Sequence, residues 1–469
     1  MLLPYDNTNR QLHKILQIPD NFDVLTRELV IGNRRIMCYY LNGFIQSAIV
    51  ENLFQFLLQT SKEKSEKMNT IEQFQAHFIS YADSKTNGDI DQIVTLVLSG
   101  MMGIIIEGFD QGIVLDVRIY PQRTPTEPED DRVLRGAHMG FVETMVTNIV
   151  MIRRRIRDPK LKVEYLTIGS KSKTDMVLMY LPNGENEENY KILKKKLMNI
   201  SIPSLTLSQQ SLSECLLRNS KYHPMPRIRY TERPDAACAC LYEGKILLVM
   251  DNTPAVMIFP TSLFDFQQET NDYYFSPLIG TYLRWIRMIV FTVSMLITPI
   301  WYLIIDSGTN APEFLQFLQI QEMNSVHIFI QLLVAEFIID TIKIASLNTP
   351  KALAGSFSMI GALVLGEFAV QAHIFVPEVL LYMSFVAIAN FTQPHYELGF
   401  TVKFFRIFLL LCIFLFKLPG FIIGIFIILI IIATTPTILP QKYLYPLIPF
   451  NKKRFKELFL RVPISRNNS

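Results

Sequence analysis

The pattern of apolar and polar positions changes character once along this chain of 469 residues, near residue 281. Before that point short apolar runs alternate with polar ones and are punctuated by Gly, Asn and Pro, the pattern of packed strands and amphipathic helices. After it the apolar runs reach the length that crosses a bilayer.

The first portion reads as one unit written twice. Residues 28–59 predict a strand (ELVIGN), a second strand (RRIMCYYLNG) and an amphipathic helix beginning near Phe44. Residues 163–198 repeat that order with VEYLTIG, TDMVLMYLPNG and a helix through Lys191 to Leu197. Both copies carry Ile-Gly at the first turn and Asn-Gly ahead of the helix, where glycine permits backbone conformations closed to other residues. Downstream, the run from Gly103 turns at Phe109-Asp110-Gln111 into GIVLDVRIYP, and KILLVMDN from Lys245 turns at Thr253-Pro254 into AVMIFP. Each is an apolar hairpin closing on a proline. The polar run 61–69 predicts a loop, and 121–135, with four acidic residues and three prolines, a solvated linker.

In the second portion, residues 288–305 form an uncharged run long enough to span about 30 Å of hydrocarbon. Arg284 and Arg287 precede it, and the acidic stretch 306–325 that follows has no Lys or Arg, which places the first portion on the cytoplasmic side. Further apolar segments cover 326–344 and 357–375; 378–391 is short for a span. The last, 404–434, would make a straight helix of about 46 Å, and Lys417-Leu418-Pro419-Gly420 interrupts it with either a kink or a hairpin. The basic tail from Gln441 is expected to be cytoplasmic, which requires an even number of crossings, four or six. The expected fold class is thus an α/β cytoplasmic region of two related subdomains followed by an all-α polytopic transmembrane bundle. Its parts are an N-terminal segment (1–20), subdomain 1 (21–122), a linker (123–139), subdomain 2 (140–281), the transmembrane domain (282–440) and the tail (441–469).

Ionisable residues inside apolar segments are costly, so they are the candidate functional residues here. Glu336 and Asp340 lie four apart on one helix face with Lys343 a further turn along, and Glu367 sits mid-segment with Gln371 and His373 after it. Three readings stay open: an ion pathway or gate, an Asp340/Lys343 or Glu336/Lys343 pair that pins helices, or side chains that snorkel to the interface. Pro419, Gly420 and Gly424 are either a hinge or a close helix contact. Arg153, Arg154, Arg155 and Arg157 close an expected helix over 141–157. They either complement its dipole or contact anionic lipid or an acidic neighbouring subunit.

Charge sharpens the division. Residues 1–281 hold 31 Lys/Arg and 33 Asp/Glu, and 282–469 hold 14 and 9, so the formal net charge of +3 averages two different solvents. The charged portion has no dense basic face, which excludes nucleic acid as a partner. Five scattered cysteines do not form a secreted disulfide framework. Cys238-Ala-Cys240 lacks metal-ligand spacing and reads as alternation on a buried strand. Residues 1–14 contain no signal-peptide apolar core. No phosphate-binding loop, nucleophile elbow or zinc-binding motif is present, so the reading is a non-enzyme with no cofactor and no metal.

Several motifs carry a family resemblance across nearly the whole chain. Arg135-Gly136, Gly140-Phe-Val-Glu-Thr144, Asn148 and Arg153-Arg-Arg-Ile-Arg-Asp-Pro159 resemble the A subunits of GerA-type spore germinant receptors. So do Glu232-Arg-Pro-Asp235, the turn before Thr253-Pro254, and Asp272-Tyr-Tyr274. Those subunits usually have Arg-Gly-Pro-Arg-Glu-Gly where this chain has Arg135-Gly-Ala-His-Met-Gly140. That departure, with Ser172-Lys-Thr-Asp175, His223-Pro-Met-Pro226 and Pro446-Leu-Ile-Pro-Phe-Asn451, is similar to a sporulation paralogue within the family. The resemblance implies a protein of the inner spore membrane acting in germination. It also implies homo-oligomers, pentamers in the family, around an ion-conducting pore, with a small membrane partner and other germination proteins as associates in the lipid bilayer. The alternative kept beside this is a non-conducting scaffold that clusters germination receptor proteins.

Overall fold

The computed structural model describes residues 2, 4–59, 68–79, 83–119, 136–217, 223–306, 319–320, 326–348 and 369–461. Most of the expected loop at 61–69, the linker 121–135, and 357–368 with Glu367 lie outside the described residues. The chain divides into two compact units: Met1–Lys221, Ile228–Thr261 and Ile438–Pro440 make the first, and Tyr222–Arg227, Ser262–Thr437 and Gln441–Ser469 the second.

The first unit shows the duplication element for element. Its first half runs α1 (Tyr5–Leu16), β1 (Val24–Ile31), β2 (Arg34–Leu41), α2 (Ser47–Leu58), α3 (Ile71–Phe78), β3 (Ser84–Asn87), α4 (Ile90–Leu98), β4 (Met102–Ile106) and β5 (Gly112–Leu115). The second half runs α5 (Met145–Arg155), β6 (Lys162–Ile168), β7 (Thr174–Tyr180), α6 (Gly184–Met198), α7 (Gln209–Leu216), β8 (Arg229–Thr231), α8 (Pro234–Tyr242), β9 (Ile246–Met250) and β10 (Val256–Phe259). Each half folds its strands into an antiparallel sheet, in the orders β1-β2-β4-β5-β3 and β6-β7-β9-β10-β8. The registers are regular, with Cys38 opposite Ile104 and Leu178 opposite Leu248.

Helices cover both faces of each sheet, so every residue of β4, β5, β9 and β10 is buried and these strands read as unbroken apolar runs. In the first sheet Ile36, Cys38, Ile104 and Ile106 face α2 and α3, while Tyr39, Leu41, Ile105 and Val114 face α1 and α4. The second sheet repeats this: Val177, Met179, Leu247 and Val249 pack on α5 and α8, and Met176, Leu178, Leu248 and Met250 on α6 and α7. Ile438 and Leu439 complete the latter cluster from far along the chain. Gly169, at φ +96 after β6, supplies the left-handed turn that the Ile-Gly motif anticipates.

Two local expectations are corrected. Cys238 and Cys240 lie on α8, not on a strand. Pro234 at the first helical position and Asp235 in the first turn start a helix, and its exposed face carries Ala239 and Tyr242 rather than charged residues, so no polar stripe betrays the helical period. Helix α5 begins at Met145 rather than Phe141, because the preceding residues are held extended: Phe141 N–H donates to Glu232 O at 2.7 Å and the Asn148 amide brackets Val142 N and O. Burial pushes the Cys38 and Cys238 thiols up to about 12. At neutral pH a maleimide is therefore expected to leave both unmodified in the folded protein and to label them after denaturation; peptide mass mapping checks this.

The second unit is helical: α9 (Asn271–Tyr274), α10 (Pro277–Asp306), α11 (Ile328–Asn348), α12 (Ala369–Gln371), α13 (Pro377–Phe391), α14 (Tyr396–Ala433) and α15 (Lys452–Phe459). Both α10 and α14 are long and apolar enough to cross a membrane. Phe337, Phe391, Phe416 and Phe426 are each more than 60% exposed, with relative accessibilities of 71%, 71%, 63% and 64%. In water such rings would each forgo about 2 kcal/mol of burial, which a hydrocarbon surrounding supplies.

The interruption in α14 is a hairpin. Lys417 has φ 52 and ψ −135, outside the helical region. A Cβ on Gly420 would sit against the carbonyl of Cys412, and one on Gly424 would be 2.8 Å from Leu409 Cδ2. As one arm descends the other ascends, so the two arms are antiparallel and packed. A straight helix would put Leu409 and Gly424 about 22 Å apart.

Candidate functional site

The carboxylates on α11 are met by cations on the first arm of α14. Glu336, 2% exposed, pairs with Arg406, which is fully buried, and Arg406 Nη1 donates to Ser294 O on α10 at 2.8 Å. One turn along, Asp340 pairs with Lys403. The spacings explain the match: Glu336 and Asp340 are four apart, Lys403 and Arg406 three apart, so each pair presents one helix face to the other. Lys343 takes part in neither pair and lies over the rings of Phe391 and Phe400, at 5.7 and 5.6 Å. The expected partner Lys343 is therefore corrected to Arg406 for Glu336 and Lys403 for Asp340.

A polar row runs beside these pairs. Ser294, Thr298 and Tyr302 recur every fourth residue along α10 and are all buried. Among the described residues Thr298 Oγ1, Tyr302 OH and Arg406 Nη2 have no hydrogen-bond partner. Buried polar atoms in folded proteins are normally bonded to protein or water, so these three, close to the two ion pairs, are what distinguishes this apolar interior.

At the start of α10, Asp272 is fully buried between Arg284 and Arg287, and Arg287 Nη1 also donates to Gln267 O at 2.6 Å. Asp272 of the Asp-Tyr-Tyr motif thus pairs with both arginines, and Glu269, 3.5 Å from Arg287, supplies the second negative charge. In the first unit Arg153 is buried, its guanidinium paired with Asp23 at 2.6 Å and bonded to the carbonyls of Asp158 and Leu161. That burial removes Arg153 from any surface contact; Arg154, Arg155 and Arg157 are exposed. Arg233, also buried, bonds Asp235 and the Ala137 carbonyl. The motifs around residues 136–159 and 232–235 therefore fasten backbone segments together.

The structure brings together Glu336, Asp340 and Lys343 of the expected set and gathers Pro419, Gly420 and Gly424 at the turn of the α14 hairpin. Lys403 and Arg406 are additions. Arg406 was visible as a cation inside an apolar run, opposite in sign to the pair on α11, while Lys403 stands at the border of that run.

Fold and motifs together define a member of one family: residues 10–469 match the family described as Bacillus/Clostridium GerA spore germination protein, and the chain belongs to it. It is 35% identical over 441 residues to stage V sporulation protein AF of Bacillus subtilis (strain 168), covering 94% of this chain and 89% of that protein. It is 28% identical over 455 residues to spore germination protein KA of the same organism, covering 95% and 82%. Among solved structures, the N-terminal domain of the A subunit of the Bacillus megaterium spore germinant receptor GerK3 aligns with TM-score 0.43 and 22% identity, over 55% of this chain and 95% of that one.

Proposed function

We propose that this protein is a subunit of a homo-oligomeric, pentameric ion-conducting channel of the inner spore membrane. It promotes or amplifies ion release during germination, with a small membrane partner and other germination proteins. The chain crosses the membrane several times, with the N-terminal region and the tail cytoplasmic. What supports the reading is the polar row on α10 beside the charged groups of α11 and α14, since polar interiors of apolar units line ion paths.

The charges bear on selectivity. Glu336 and Asp340 are outnumbered by Lys343, Lys403 and Arg406, so these five groups together are net positive. A cation-selective path would need further acidic groups, of which Glu367 is the candidate. The test is conductance of the purified protein in liposomes, with Glu336→Gln, Asp340→Asn and Glu367→Gln examined singly. A shift in ion selectivity in at least one variant is expected; identical selectivity in all three removes the pore-lining assignment.

The second reading, a scaffold without conductance, draws on the pairing of Glu336 and Asp340 with cations, which suits pins between helices. It predicts no flux from the purified protein, and loss of co-purifying germination proteins when the first unit is deleted.

A further inference from the structure

The C-terminal helix α15 is fixed at both ends. Asn451 caps its start, its side chain accepting from Arg454 N–H at 3.1 Å, and Arg284 Nη1 donates to the closing carbonyls of Glu457 and Leu458 at 2.7 and 3.4 Å. Leu458 is the buried contact. A continuous row of rings results: Phe450 lies 5.4 Å from Phe455, Phe455 4.7 Å from Phe459, and Phe459 5.6 Å from Trp285 on α10. Trp285 itself belongs to an exposed stripe, Leu278, Tyr282, Trp285 and Ile289, that follows one face of α10.

Cations border this row. Lys452 and Lys456, four apart, share the face of α15 next to Phe455 and Phe459, with Lys453 beside them. All three are exposed, and among the described residues none has an ion-pair partner; Glu457 is taken by Arg454 at 3.4 Å.

We propose that α15 and the first turns of α10 form a binding surface for anionic phospholipid headgroups. The rings sit at headgroup depth, where aromatic side chains of membrane proteins collect, and the three lysines meet the phosphates. Charge complementarity selects this occupant: an aromatic row exposed at Phe450 and Trp285 and half-buried between them, bordered by three lysines without an ion-pair partner among the described residues, matches a surface that is apolar beneath and negative above. The inference rests on the reading of the second unit as a membrane bundle.

The two tryptophans of the chain provide the probe, since Trp285 is 46% exposed and Trp301 is 2% exposed. The full chain carrying Trp301→Phe would be reconstituted in phosphatidylcholine–phosphatidylglycerol bilayers with bromine on the acyl chains of one lipid at a time. Quenching of Trp285 is expected to be about twofold stronger with brominated phosphatidylglycerol at equal mole fraction. Salt at about 1 M should narrow the difference. The Lys452→Gln/Lys453→Gln/Lys456→Gln variant should abolish it. Equal quenching by both lipids in the protein with its lysines intact overturns the proposal but leaves the membrane reading standing. No quenching by either lipid overturns both. If Trp301→Phe does not fold, the same comparison is made as the difference between wild type and Trp285→Phe.

Discussion

Replacing Arg406 by methionine is expected to destabilise the membrane unit by about 3–5 kcal/mol, because it strands the Glu336 carboxylate in a buried position. The expected readout is a large fall in the thermal midpoint of the detergent-solubilised protein, or its loss from membranes. The double variant Glu336→Leu/Arg406→Met should recover most of that loss, since apolar residues of similar volume replace a buried pair at little cost. A single variant that melts with the wild type would show that the pair is not buried as described. The double variant also separates two roles. If the pair only pins α11 to α14, restoring stability restores function; if it contributes to an ion path, the refolded protein stays defective in conductance.

Replacing Gly420 by leucine is expected to be as damaging. Its first side-chain carbon would press on the Cys412 carbonyl, and backbone gives way only if the two arms of α14 separate. Overpacking usually costs about 1–3 kcal/mol, and a clash with backbone lies at or beyond the upper end of that range. Gly424→Ala is the control: its nearest contact is the end of the Leu409 side chain, which can move, so a loss of about 1 kcal/mol is expected. Lys417→Gly should act in the opposite direction, stabilising by about 1 kcal/mol, because glycine adopts φ 52 and ψ −135 without the strain a lysine bears. Thermal midpoints of the three variants test the order; a Gly420→Leu protein as stable as Gly424→Ala would rule out the packed hairpin.

The duplication was legible because its marks are local. Ile-Gly and Asn-Gly turns and paired apolar hairpins repeat at matching places, and the turns need no long-range information. Other elements of each repeat were not legible. Strands β3 and β8, of four and three residues, are too short to show a period, and α1 ahead of β1 gains meaning only once α5 is seen in the equivalent place. Cys238 and Cys240 misled because the exposed face of α8 carries Ala239 and Tyr242 rather than charged residues, which weakens its amphipathic signal. At the site, Glu336 and Asp340 stood out as acidic residues in an apolar run, whereas Lys403 reads as the flank of a segment starting at Phe404, and a flanking lysine is ordinary near a membrane. Which cation meets which carboxylate is a matter of helix neighbours, and no spacing within one segment encodes it.

The order of the strands leaves β1 and β3 at the edges of the first sheet and β6 and β8 at those of the second. An unpaired strand edge is a template for joining sheets end to end, and here each edge is blunted. The outer strands β3 and β8 offer only four and three residues. Strand β1 presents exposed Arg27 and Glu28, and the start of β6 is covered by residues 21–22, with Phe22 N–H donating to Val163 O at 2.9 Å and the Asn21 side chain accepting from Val163 N–H. Strand addition is thus disfavoured at these edges, and the proposed homo-oligomer would join its copies through helices, its stoichiometry set by helix packing rather than by a sheet that could grow without limit.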